Sequence, residues 1–279
     1  MFGKVETMKA DEIGKLTTRL SQGIKNGDEG YLFGGPEQEV TGVVLAWKPT
    51  LAAMRFAVAN GCNMLVTHEF LYDFEYTLPQ PAYFQDAINW KANKNRRDYL
   101  EKHKLIVYHW HGGMLRVNGV IEKYHRLYGL KPKRADRKRL ASADILCYLK
   151  MMVGELPRPT PLANLAVDIK ERLKLKKVRM IGDARRMIRK VAIGAGGDTL
   201  FTNASTMNMF LSLGVDAIIG GESDAYAANF VLDGGGALIE TDHPVTDNIA
   251  VRVCYEAVRE NLPGLPVKYF DHPSPWKHV

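Results

Sequence analysis

The chain is poor in cysteine. It has three, Cys62, Cys147 and Cys254, spread along 279 residues. No C-x-x-C pair exists, which excludes a zinc ribbon and a thioredoxin-type redox centre. So sparse and odd a set of thiols predicts a reducing compartment, and the expected location is cytoplasmic. Long apolar runs are also missing. No stretch reaches the length needed to span a bilayer, and the charged start, MFGKVETMKADEIGKLTTRL, lacks the apolar centre of a signal peptide. There is no G-x-S-x-G, so a serine hydrolase is not expected, and no Gly-Lys-Ser/Thr, so a P-loop is excluded. Helix-turn-helix and RNA-binding signatures are absent too.

What remains is an ordinary soluble composition, 46% apolar and 25% charged, with a net charge of +7. The positive field favours an anionic small molecule as partner. A nucleic-acid partner would rest on that charge alone and is not expected; nor is a membrane.

Periodicity predicts alternating strands and helices. Apolar Ile13, Leu16 and Leu20 place a helix over 9–23. A strand over 40–46, a helix from Thr50 to Val58 and a strand over 62–67 form a βαβ unit. A helix beginning near residue 86, a strand over 105–111 and a helix ending at Gly129 follow. KPKRADRKRL, with six basic residues in ten, reads as a connector. Beyond it, strands are expected over 143–151, 178–181, 190–193, 216–220 and 236–241. Helices are expected over 161–174, 203–213, 223–234 and 244–261. The fold class is α/β, with a boundary near 131–140.

In such folds ligands bind at the carboxyl ends of strands. Four of the eight histidines, His68, His109, His111 and His243, fall at predicted strand ends. Glu69 adjoins the first and Asp247 lies four residues past the last. Each taken singly is most often an ordinary loop residue or helix cap; His243 with Asp242 and Asp247 reads equally well as a helix start. Together, imidazoles and carboxylates without thiolates suit zinc, manganese or iron. Three further features read more plainly. GAGGDT at 194–199 fits a tight turn better than a phosphate cradle. Glu222 is a supporting, capping or solvated carboxylate. Ten Lys or Arg over 170–190 read as a solvated face, with phosphate steering as the alternative.

Five short segments, in order, resemble the motifs of the NIF-three-like family, whose members are called GTP cyclohydrolase I type 2 homologues. VTHEFLYDF resembles a strand ending in Thr-His-His-Pro. VYHWHGGML resembles Val-Tyr-x-x-His-Thr-x-x-Asp. GAGGD resembles the family's glycine turn. GVDAIIGGE resembles Gly-x-Asp-x-x-x-x-Gly-Glu, and DHPVTD resembles Gly-His-x-x-x-Glu. The resemblance implies metal ligation by His68, His243 and Asp247, with His111 beside the site. Glu69 stands where the family has a second histidine, Leu115 where it has a carboxylate, and Asp247 where it has a glutamate. His109 or Asp73 would then fill a gap. One or two divalent ions per subunit are implied. So are two α/β domains with mixed and parallel sheets (1–135 with 240–279, and 136–239) and a toroidal homohexamer whose metal sites face an inner cavity. The implied function is a metal-dependent, cyclohydrolase-like hydrolase acting on a nucleotide-like or other anionic small molecule. The alternative is a non-catalytic metal-binding scaffold or regulatory ring.

Overall fold

The computed structural model describes residues 8–72, 89–131, 136–142 and 144–277. The elements run β1 (Met8–Lys9), α1 (Ala10–Leu20), β2 (Gly30–Phe33), β3 (Glu39–Val40), β4 (Val43–Ala46), α2 (Leu51–Ala59) and β5 (Met64–Thr67). Then come α3 (Lys91–His103), β6 (Ile106–His109), α4 (Val120–Leu127), α5 (Arg137–Leu140), α6 (Ile145–Met151) and β7 (Val153–Pro161). The chain continues through α7 (Leu162–Arg172), β8 (Arg179–Ile181), β9 (Met187–Gly194), α8 (Ala204–Ser212) and β10 (Ala217–Gly220). It closes with α9 (Ala225–Asp233), β11 (Leu238–Glu240), α10 (His243–Asn261) and β12 (Val267–Phe270). Two compact units result. One is Met1–Val117 with Val251–His272, the other Asn118–Ala250 with Pro273–Val279.

The first unit is built on a sheet of order β12-β4-β5-β6-β2. Strands β12, β4, β5 and β6 are parallel, and β2 closes the edge antiparallel to β6. Every residue of β4, β5 and β6 is buried, as expected of parallel strands covered on both faces. Their apolar side chains pack with Ala53, Met54 and Ala57 of α2 and Leu100 of α3. Thr50 starts α2 because its side-chain oxygen accepts from Ala53 N. Register places Ala46 beside Thr67 and Thr67 beside His109, so the carboxyl ends of the three strands finish level.

The second unit has a sheet of order β7-β9-β10-β11-β8, in which β9, β10 and β11 are parallel and both outer strands antiparallel. Ile218 and Ile219 of β10 and Leu238 and Ile239 of β11 are fully buried, as are Ile169 of α7, Phe210 of α8 and Val231 of α9.

Three sequence expectations are corrected here. The strand expected over 143–151 is, where described, the helix α6. Asp144 caps it by accepting from Leu146 N, and the buried Tyr148, Leu149, Met151 and Met152 follow a helical period. The strand that exists is β7, just beyond, whose prolines disguised it. Pro157, Pro159 and Pro161 are tolerated because β7 is an edge strand. The predicted strand at 105–111 ends at His109, and the helix expected to end at Gly129 begins only at Val120.

Asp224 caps α9 and ties it to the segment that leads into α8. Its carboxylate accepts from Tyr226 N at 2.9 Å, Ala227 N at 3.0 Å and Phe201 N at 2.8 Å. Burial pushes this carboxyl up, but the three N–H donors outweigh burial and hold it below its ordinary value. A depressed folded pKa stabilises above the ordinary aspartate range and loses that contribution as pH falls through it. Asp224→Ala is therefore expected to cost about 1–2 kcal/mol near neutral pH. The difference from wild type should shrink below about pH 3. Urea titrations at the two pH values check this; an undiminished difference in acid would refute the capping account.

Candidate metal centre

In the first unit the site grows from the ends of β5 and β6. Strand β5 stops at Thr67 because the chain turns there. Thr67 Oγ1 donates to the Glu69 carbonyl at 3.0 Å, while His68 N and Glu69 N donate to the carbonyls of Ala46 and Trp47. Neighbouring side chains on a continuing strand would point to opposite faces. The turn removes that alternation, and both His68 and Glu69 are buried just past it.

His109, at the end of β6, is fully buried. Its Nδ1 lies 2.8 Å from the Asp28 carbonyl oxygen and its Nε2 2.9 Å from the His68 carbonyl oxygen. Proximity alone groups Asp28, His109 and His111, whose potential donor atoms lie within 4.8 Å of one another. Both nitrogens of His109 face backbone carbonyls, and a neutral ring, with one N–H, donates to one of the two. Burial also pushes the pKa of this ring down. Asp73, the other residue considered for the gap, lies outside the described residues.

His111 sits two residues on, and its ring centroid is 4.7 Å from that of His68. Its Nδ1 is 2.9 Å from Asp28 Oδ2. The His111 hydrogen bond, opposed by burial, holds the Asp28 carboxyl below its usual range. Leu115, at the family's carboxylate position, carries no donor.

In the second unit the polar residues gather at the ends of β9, β10 and β11. Thr241 follows β11 and binds the Gly220 carbonyl through both N and Oγ1. Asp242 then caps α10, with Oδ1 accepting from Val245 N at 3.2 Å. His243 opens the helix and Asp247 lies one turn on, so both side chains share a face. His243 Nε2 is 2.9 Å from Asp247 Oδ2, and Nδ1 is 3.3 Å from Glu222 Oε1. Asp247 is 2% exposed.

The glycine turn after β9 fits against this pair. Gly196 has φ +54°, and a Cβ there would lie 2.7 Å from His243 Nε2 and 2.7 Å from Asp247 Oδ2. The turn is fixed from both sides: Gly196 N donates to Thr246 Oγ1, and its carbonyl accepts from Glu222 N, each at 3.1 Å. The backbone thus clears a space beside an imidazole nitrogen and a carboxylate. GAGGDT is a tight turn, and its service to the site is steric.

Each of the five sequence-selected residues lies at a strand end or a helix start within its unit. Sequence reasoning missed Asp28 and Gly196 and left the role of Glu222 open. Imidazoles and carboxylates are the groups that bind divalent transition metals, and Gly196 clears space at His243 and Asp247.

Two α/β units with mixed sheets and histidines at their strand ends define a fold shared with solved structures. A Bacillus cereus protein related to NIF3 matches with TM-score 0.75 at 16% identity, covering 98% of this chain and 100% of the other. Reduced HcgD from Methanocaldococcus jannaschii matches with TM-score 0.69 at 18% identity, covering 96% and 100%. Residues 16–275 match Duf34/NIF3 (NGG1p interacting factor 3), and the chain belongs to that family. A GTP cyclohydrolase 1 type 2 homolog of Streptomyces coelicolor is 27% identical over 193 residues, or 68% of this chain. The match spans 63% of that relative's length.

Proposed function

We propose that the protein binds one or two divalent transition metal ions per subunit, zinc, manganese or iron. The donors in this reading are His68, Glu69 and His111 from the first unit and His243 and Asp247 from the second. The observation that carries it is the pair His243 Nε2 and Asp247 Oδ2, 2.9 Å apart on one helix turn and kept clear by Gly196. When bound, the metal supplies a Lewis acid that brings the pKa of water to about 7. Glu69 then serves as ligand or as general base.

In this reading the activity is hydrolysis of a nucleotide-like or other anionic small molecule. The name of the Streptomyces relative and the net charge of +7 support that substrate class. A second reading, a non-catalytic metal-binding scaffold or regulatory ring, is favoured by Leu115, which cannot ligate. Homohexameric assembly and a cytoplasmic location complete the proposal. Among the described residues no helix is long and apolar enough to cross a membrane.

Metal analysis of the purified protein is the test. At least one equivalent of a transition metal is expected, removed by chelator and reduced in His68→Ala. Protein with no stoichiometric metal, or with content unchanged by that substitution, would refute the site. Turnover of nucleotides or pterins that disappears with chelator separates enzyme from scaffold.

A further inference from the structure

Residues 26–29 lie before β2, in no motif that the sequence suggested, yet they are fastened closely to the loop after β6. The Asp28 carbonyl meets His109 Nδ1 at 2.8 Å, and Asp28 Oδ2 meets His111 Nδ1 at 2.9 Å. Glu29 Oε1 accepts from Gly113 N at 2.7 Å, and Glu29 Oε2 closes back on Asn26 N at 3.0 Å. Trp110, between the two histidines, donates its Nε1–H to Ser21 Oγ at 2.8 Å. The backbone on either side of Asp28 and of His111 is thus pinned, and the two side chains meet as a consequence.

An ionised carboxylate only accepts hydrogen bonds, so the neutral imidazole facing it carries its hydrogen on Nδ1. That leaves the electron pair of His111 on Nε2. Imidazole free in water prefers the opposite arrangement, with the hydrogen on Nε2. We propose that Asp28 is a positioning residue that fixes the tautomer and ring orientation of His111, presenting Nε2 as the donor atom to the metal. The proposal rests on the reading of His111 as a metal-site residue. Carboxylate partners of this kind are the usual second support of ligating histidines. In the other unit His243 faces a carboxylate at each nitrogen, Glu222 Oε1 at 3.3 Å from Nδ1 and Asp247 Oδ2 at 2.9 Å from Nε2.

The test has two independent readouts. The first is long-range ¹⁵N–¹H NMR of the metal-free protein above the titration range of histidine. Wild-type His111 is expected to carry its hydrogen on Nδ1, and Asp28→Ala is expected to shift it toward Nε2. A wild-type ring protonated on Nε2 overturns the proposal without any variant. The second is metal affinity by chelator competition. Asp28→Ala is expected to weaken binding about 10–100-fold, and Asp28→Asn, whose Oδ1 still accepts from Nδ1–H, by less than about tenfold. If Asn loses as much as Ala, the carboxylate is itself a ligand and the positioning role is wrong. If His111→Ala leaves affinity unchanged, His111 as metal donor falls, while the tautomer result still decides what Asp28 does to the ring.

Discussion

Gly196→Ala is expected to lower metal affinity by about a hundredfold or more, a larger loss than that of an outer partner. The added methyl carbon would stand 2.7 Å from His243 Nε2 and 2.7–2.8 Å from both Asp247 oxygens, closer than carbon approaches such atoms. The turn cannot retreat easily. Doing so breaks the bond from Gly196 N to Thr246 Oγ1 on one side or from Glu222 N to the Gly196 carbonyl on the other. The methyl group also forces a side chain into the left-handed region at φ +54°, costing about 1–2 kcal/mol of stability. Gly214, at φ +71° with nothing near its would-be Cβ, supplies the control. Alanine there carries the backbone strain without the steric contact, so it should lose stability but keep its metal. Chelator competition beside denaturant titration reads both quantities. A Gly196→Ala protein that binds metal as wild type does would mean that His243 and Asp247 are not donors.

Asp247→Asn should separate binding from stability. Asparagine keeps the shape and one acceptor oxygen but removes the charge. The loss of a charged donor is again expected to cost at least about a hundredfold in metal affinity, above the range for outer partners. Folding stability, by contrast, is expected to hold or rise. The wild-type carboxylate is 2% exposed, and a buried charge carries a desolvation cost that a neutral amide largely avoids. Lower affinity with undiminished stability is the signature of a residue kept for binding. A variant that retains its metal while losing several kcal/mol would instead make Asp247 a structural partner of His243.

The sequence carried some of this in full and some not at all. His68, His111 and His243 were readable because they follow apolar runs, and the ends of parallel strands are where ligands bind. Asp28 was not, and Glu222 was visible only as a carboxylate of open role. Each has a partner 83 or 21 positions away, and local pattern contains no trace of such a pairing. Gly196 was visible as part of a glycine-rich turn, but its purpose depends on a helix that begins 47 residues later, at His243. The fold divides similarly. Central strands such as β4, β5 and β10 announce themselves as short buried runs. The edge strand β7 does not, because its place at the edge leaves it free to hold three prolines. The apolar run at 145–152 shows the opposite ambiguity. Length and hydrophobicity suited a strand, and the cap at Asp144 made it a helix.

His109 has a consequence for how histidine pairs are counted. Its Nε2 lies 2.9 Å from the His68 carbonyl oxygen, one residue past the end of β5. The ring thus lies against the backbone at the point where the chain leaves the sheet. Of the two histidines in YHWH, one meets backbone carbonyls and the other faces a carboxylate as a metal donor would. Transplanting only the donor residues into another scaffold would leave the turn at Thr67 behind, and on a continuing strand His68 and Glu69 would revert to opposite faces.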